Sequence, residues 1–141
     1  EEASKMYVQE GHAREIYNKT FKLLFIVSFV PCIFMFFFIE KAFIMIFGVE
    51  WQVSGEYSQI LIIPLTLRFI ANPLSFIIYI AQKQKINLIL ISILFISVLL
   101  SFFIFKNHFD VIKAISVVYS IYYLLNIIIS AYLAKVHLFK S

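Results

Sequence analysis

Charged residues are scarce in this chain: of 141 residues only 14% are Asp, Glu, Lys or Arg, and glycine and proline occur three times each. So little Gly and Pro excludes a collagen-like repeat, and an apolar fraction of 62% excludes intrinsic disorder. The single cysteine, Cys32, cannot form a disulfide within the chain. These absences leave a chain dominated by apolar side chains.

Residues that commonly perform catalysis or hold cofactors do not form recognisable groups in this sequence. His12, His108 and His137 lie on separate segments without a second cysteine, so no zinc or haem site is expected. The three glycines match neither of the Gly-rich nucleotide-binding loops. We therefore expect neither an enzyme nor a cofactor.

Long apolar runs are the dominant feature of the sequence. A mean hydropathy of +0.94 exceeds what one soluble domain of this length can bury. Crossing a hydrocarbon layer of about 30 Å takes about 20 residues in a helix, whereas barrel strands alternate over about ten. The sequence therefore predicts an all-α fold, a polytopic membrane helical bundle with four transmembrane helices. The predicted spans are 23–39, 59–81, 86–105 and 114–134.

The distribution of basic residues predicts the orientation of the four spans. Eight Lys and Arg residues flank the side that carries both termini, and three flank the other side. The positive-inside rule then places both termini in the cytoplasm. Residues 1–22 are predicted to form a cytoplasmic amphipathic connector and residues 135–141 a cytoplasmic tail. Because topology accounts for the net charge of +4, no nucleic-acid partner is expected.

The start of the chain does not resemble a secretory signal. Glu1 stands first, and eight charges precede the first apolar run. We expect the chain to be a piece of a longer protein, whose missing N-terminal helices and surrounding membrane lipid would be its partners.

The second span carries polar side chains along one helical face. Arg68, Asn72, Ser75 and Tyr79 follow one another at i, i+4, i+7 and i+11. Arg68 lies about 12 Å from the outer end of the span, where an arginine costs about 2.5–3.5 kcal/mol on insertion scales. Two interpretations stay open. The guanidinium lines an aqueous cavity and attracts an anion such as phosphate, or it snorkels outward or bonds helix carbonyls freed by prolines.

The third and fourth spans differ in their polar residues. The polar residues singled out in the third span are serines among Ile, Leu and Phe, so most of its surface is expected to face lipid. The fourth carries a stripe of mild polar groups that favours helix packing over cavity lining. These residues are Ser92, Ser97 and Ser101 in the third span, and Ser116, Tyr119, Tyr123, Asn126 and Ser130 in the fourth.

The stretch between the first two spans, 47–61, has a distinctive pattern, F-G-x-x-W-x-x-x-G-x-Y-x-Q-I-L. Trp51 and Tyr57 are amphipathic aromatics of the kind that settle at membrane interfaces. Gly48 and Gly55 permit a tight turn or a close approach of helices. The pattern predicts an interfacial anchor within an outer loop from Glu40 to Ser58.

This pattern, the R-F-I-x-N-P-L-S sequence of 68–75 and the Q-K-Q-K turn of 82–85 together resemble bacterial polysaccharide or O-antigen flippases. These proteins belong to the multidrug/oligosaccharidyl-lipid/polysaccharide exporter superfamily, and the resemblance is to their C-terminal part. The turn departs from the family pattern, because Ala81-Gln82 stands where a glycine often precedes the Lys-Gln pair.

The resemblance implies a two-lobed transporter of twelve helices or more, of which this chain would supply the last four. Such proteins move undecaprenyl-pyrophosphate-linked oligosaccharides across the bacterial cytoplasmic (inner) membrane by alternating access. Arg68 would engage the anionic lipid carrier, and Asn72, Ser75 and Tyr79 would bond sugar or phosphate oxygens. Two alternatives stay open: a multidrug antiporter of the same superfamily, and a small four-helix membrane scaffold subunit.

Overall fold

The structure is a computed structural model that describes residues 9–10 and 13–135. All four of its long helices have the length and apolar composition needed to cross a membrane. The part of the chain that the structure describes contains no strand. The predicted all-α membrane bundle is therefore confirmed. The helices are α1 (Arg14–Phe47), α2 (Gln52–Ile80), α3 (Gln84–Ile104) and α4 (His108–Lys135), with a short 3-10 turn, Val49–Trp51, between α1 and α2.

The helices extend beyond the apolar runs that indicated them. Helix α1 has 34 residues and is about 50 Å long at 1.5 Å per residue. It begins inside the predicted connector and has no break at residue 22. Residues 1–8 and 11–12 of that connector, and residues 136–141 of the predicted tail, lie outside the described residues. The stretch Glu40–Ser58, expected to be a loop, is largely helical on both sides of Gly48. Hydropathy marks only the part of a helix that lies in lipid, so it underestimates helix length.

Helix α2 is the centre of the bundle, with α1 on one side and α4 on the other, and α3 packs mainly against α4. The tightest region lies where α1 begins and where α2 and α4 end. There the Ala13 amide donates to the Ala134 carbonyl at 3.3 Å, and the Tyr17 hydroxyl donates to the Ile127 carbonyl at 2.7 Å. The buried apolar cluster at this end comprises Ala13, Tyr17, Ile70, Leu74, Ile77, Ile78, Ala81, Leu133 and Ala134.

At the opposite end, α1 and α2 form a close hairpin. Helix α1 ends at Phe47 and is followed by Gly48, whose φ of +99° lies in the region that favours glycine. A Cβ placed on Gly55 would meet the Cα of Glu40 at 2.8 Å, so a larger residue would push the helices apart. The Gln59 side chain adds a hydrogen bond of 2.7 Å to the Phe36 carbonyl. Both glycines thus serve as the sequence pattern indicated, one in a turn and one in a close helix contact.

Helix α3 is the most peripheral of the four helices. Ser101 is its only buried residue, and its Leu, Ile and Phe side chains are mostly exposed. This placement agrees with the expectation that the third span faces lipid over most of its surface. All three prolines, Pro31 in α1 and Pro64 and Pro73 in α2, lie within continuous helices.

Candidate functional site: a polar groove on the open side of the second helix

Helix α2 has two contrasting faces. One is apolar and packs into the core through residues such as Ile70, Leu74 and Ile78. The predicted polar stripe lies on the other side, where Arg68, Asn72 and Tyr79 are exposed and Ser75 is half-buried. Most of the stripe therefore lies outside the packed core of the described residues.

Arg68 lines a cleft between α2 and α4 with a volume of about 170 Å³. The Tyr123 hydroxyl of α4 lies within electrostatic reach of its guanidinium. Among residues 9–10 and 13–135, the guanidinium has no hydrogen-bond or ion-pair partner, so it does not bond the helix carbonyls freed by the prolines. The other residues of the cleft are Leu61, Pro64, Leu65, Ile115 and Tyr119.

Arg68 is also deep within its helix. Twelve residues separate it from Ile80 at the end of α2, which is about 18 Å by helical rise. A hydrocarbon layer is about 30 Å thick, so the backbone of Arg68 lies near the middle of the membrane. A cation at that depth is stable only where water, protein or an anion solvates it.

A second polar contact joins α2 to α3 at the far end of the stripe. The Asn87 side-chain amide donates a hydrogen bond of 2.9 Å to the Tyr79 hydroxyl. Tyr79 also lies within electrostatic reach of Tyr122 on α4. Polar side chains of three helices therefore lie on this side of α2, and we refer to them together as the polar groove. They are Arg68, Asn72, Ser75, Tyr79, Asn87, Tyr119 and Tyr122.

The polar groove presents one fixed positive charge together with hydrogen-bond donors and acceptors. The Ser75 hydroxyl donates to the Asn72 carbonyl of its own helix at 2.8 Å, which leaves its oxygen as an acceptor. The groove adds a guanidinium, amides and phenol groups, and its seven residues include no carboxylate. Such a set suits an anionic, hydroxyl-rich ligand.

Two residues of the groove, Asn87 and Tyr122, did not stand out in the sequence. Asn87 lies inside the predicted third span, for which the expected polar residues are serines. Its side-chain amide donates the hydrogen bond to the Tyr79 hydroxyl. The available signal was an isolated amide at the start of an otherwise apolar run. Tyr122 carried no such signal, because it falls beside the predicted stripe of α4 rather than within it.

The α4 stripe divides between packing and the groove. The Ser116 hydroxyl donates to the Ile60 carbonyl of α2 at 2.8 Å, a direct link between helices. Asn126 is buried and donates to the Tyr122 carbonyl of its own helix at 3.0 Å. Ser130 is fully buried, and its hydroxyl has no hydrogen-bond partner among the described residues, so its small size is what the packing uses. The favoured packing role thus holds for most of the stripe, while Tyr119 and Tyr123 also line the Arg68 cleft.

Comparisons of the chain with family models, with curated proteins and with solved structures find no match. The class that the fold defines is a helical membrane protein. A proposal for its function has to be argued from the chemistry of the polar groove.

Proposed function

We propose that this chain is a membrane-spanning part of a flippase that moves undecaprenyl-pyrophosphate-linked oligosaccharides across the bacterial cytoplasmic membrane by alternating access. In this proposal both ends of the chain are cytoplasmic, and the remaining helices of the transporter face the polar groove. The observation that carries the proposal is Arg68: an exposed cation, deep in its helix and unpaired among the described residues.

The cost of a buried charge supports a hydrated path beside α2. Placing a guanidinium against lipid near mid-membrane costs several kcal/mol, and no partner within residues 9–10 and 13–135 offsets that cost. The groove side of α2 is therefore better suited to a water-filled cavity than to acyl chains. In such a cavity the planar fork of donors on Arg68 fits a pyrophosphate through paired hydrogen bonds.

The neighbours of Arg68 suit the other two parts of an amphiphilic substrate. Asn72, Tyr79 and Asn87 offer amide and phenol groups to sugar hydroxyls further along the groove. Leu65, which lines the Arg68 cleft, is 56% exposed and provides an apolar edge beside it. A prenyl tail can remain in lipid along such an edge while the charged and hydroxylated groups cross in the groove.

The charge of the groove favours this substrate class over that of the main alternative. A multidrug antiporter of the same superfamily would have the same helices, but the Arg68 cation repels cationic drugs. None of the seven groove residues is a carboxylate that could attract such a drug or couple a proton. If the chain were a four-helix scaffold subunit, Arg68 would neither line an aqueous path nor bind a ligand.

The test is a translocation assay on Arg68→Ala. The full-length protein is reconstituted in vesicles with a fluorescent polyprenyl-pyrophosphate-linked sugar, and a membrane-impermeant quencher reports how much of the lipid has crossed. If Arg68 holds the pyrophosphate, the variant should lose about tenfold or more in rate, as expected for a lost charge-assisted contact. Arg68→Lys keeps the charge without the fork and should retain an intermediate rate.

Lys106→Ala provides the matched control, because it removes one exposed positive charge from the turn between α3 and α4, away from the polar groove. It should translocate as the unaltered protein does. An unchanged rate in Arg68→Ala at equal reconstitution would remove Arg68 from the mechanism. Transport of a cationic dye with no transport of the lipid-linked sugar would instead favour the antiporter.

A further inference from the structure

A long apolar groove runs along the outer side of the bundle between α3 and α4. Next to the α3–α4 turn it widens into a cavity of about 550 Å³, and further along it continues as a cavity of about 150 Å³. The two cavities share Ser97 and Val118, so they form one continuous depression, the α3–α4 groove. It is separate from the polar groove except at Tyr122, which borders both.

The α3–α4 groove has the dimensions of a lipid acyl chain. On α4 it extends from Asp110 to Leu125, and the part from Lys113 to Leu125 alone covers twelve residues, or about 18 Å by helical rise. That length exceeds half of a hydrocarbon layer of about 30 Å, so the groove spans roughly one leaflet. Its walls are apolar side chains such as Leu100 and Val117, which are 50% and 57% exposed and have room to contact a chain lying between them.

The mouth of this groove carries one charge of each sign. Asp110 and Lys113 both line the wide cavity and stand three residues apart on α4, with Cβ atoms about 5–6 Å apart by helix geometry. Nevertheless, no ion pair joins them in the described part of the chain; the Lys113 ammonium instead lies 4.9 Å from the centroid of the Phe109 ring. Favourable interaction with the helix N-terminus accounts for Asp110 but not for the lysine beside it.

We propose that the α3–α4 groove binds a phospholipid with an ethanolamine headgroup, with one acyl chain in the groove, the phosphate at Lys113 and the ammonium at Asp110. Charge complementarity selects this headgroup. An anionic lipid without an ammonium would satisfy Lys113 but would face repulsion from the Asp110 carboxylate. The site is independent of the proposed transport function, since no residue at its mouth belongs to the polar groove.

The proposal is tested by lipid competition on the purified full-length protein. Equimolar dioleoyl phosphatidylethanolamine and phosphatidylglycerol are added in detergent, and the bound lipids are counted by native mass spectrometry. The unaltered protein should retain phosphatidylethanolamine about two- to fivefold more than phosphatidylglycerol, as expected for one ion pair near the surface. Asp110→Asn should bring this ratio close to one, and Lys113→Gln should lower retention of both lipids.

Ser97→Leu tests the acyl-chain part of the site, because it fills the point that the two cavities share. It should reduce retention of both lipids and leave the headgroup ratio unchanged. Lys41→Gln and Glu50→Gln remove exposed charges near the α1–α2 turn at the same end of the bundle, and neither should alter lipid binding. Equal retention of the two lipids by the unaltered protein, or an unchanged preference in Asp110→Asn, would overturn the proposal.

Discussion

The second and third helices, α2 and α3, are joined by only three residues, 81–83, yet their surroundings differ sharply. We compare the most apolar stretch of 18 residues in each helix: 33% of its residues are buried in α2 and 6% in α3. The more apolar helix is the less buried of the two. In water the opposite would be expected, because burial of apolar surface is the main driving force there. In a membrane, lipid is as apolar as leucine, so hydropathy does not select the helices that pack.

Small and polar groups distinguish the packed helix from the peripheral one. Helix α2 meets α1 closely at Gly55, and its Ile60 carbonyl accepts a hydrogen bond from Ser116 of α4. In α3, by contrast, the Ser92 and Ser101 hydroxyls donate to carbonyls of their own helix, and the bond from Asn87 to Tyr79 of α2 lies beside the turn that joins the two helices. We infer that close backbone approach and hydrogen bonds between helices, rather than apolar area, determine which helix takes the centre.

The largest difference between the two helices should appear when an isoleucine is truncated in each. Ile78 of α2 is fully buried, whereas Ile89 of α3 is 58% exposed. Ile78→Ala leaves a cavity that its packed neighbours cannot fill and should cost about 1–3 kcal/mol of unfolding free energy. Ile89→Ala should cost less than about 0.5 kcal/mol, since lipid or detergent fills the space.

The measurement is unfolding by sodium dodecyl sulfate in mixed micelles, followed by far-UV circular dichroism. Equal losses for the two variants would contradict the comparison and indicate that α3 is as closely packed as α2. Ile78→Val serves as a graded control, because it removes one methyl group and should cost less than Ile78→Ala.

The sequence was sufficient to predict the four helices, because long apolar runs have one stable form in lipid. It also predicted the polar face of α2, because Arg68, Asn72 and Tyr79 stand out among apolar neighbours. It could not predict the buried face. Ile78 and Ile89 are both isoleucines with apolar neighbours in the sequence, and only the tertiary packing buries one and exposes the other.

Two parts of the candidate site were out of reach for related reasons. Asn87 gains its importance from Tyr79, eight residues away across a turn, and spacing along one helix does not show such a contact. The continuation of α1 from Glu40 to Phe47 is not apparent from hydropathy, because the charged residues there mark the edge of the lipid and not the end of the helix. Hydropathy reports the solvent around a segment, and the segment remains helical on either side of that boundary.

A pair of serine substitutions sharpens the comparison at the level of single hydrogen bonds. Ser116→Ala removes the bond from α4 to the Ile60 carbonyl of α2, and Ser92→Ala removes a bond within α3 of nearly equal length, 2.8 against 2.9 Å. The first should cost about 0.5–1.5 kcal/mol, the range found for polar contacts between membrane helices. The second should be close to neutral, because the exposed hydroxyl serves only its own helix. The same detergent unfolding curves measure both, and a larger loss for Ser92→Ala would show that bonds between helices do not set the difference.

The smallest effect should come from the joint between the two helices, and it should be stabilising. Gln82 has a φ of +54°, in the left-handed region that favours glycine. Its amide donates to the Tyr79 carbonyl at 3.0 Å and that of Lys83 to the Ile78 carbonyl at 2.9 Å, the two bonds of a Schellman helix end.

Gln82→Gly should therefore raise the unfolding free energy by about 0.5–1 kcal/mol, because the strain of a left-handed side-chain residue exceeds the added freedom of the unfolded chain. Gln84→Gly, two residues on, is the control: Gln84 begins α3 in a helical conformation, so glycine there should destabilise slightly. The free energy of unfolding in detergent should thus rise for Gln82→Gly and fall for Gln84→Gly. Shifts in the same direction would mean that the turn does not hold Gln82 in the left-handed conformation.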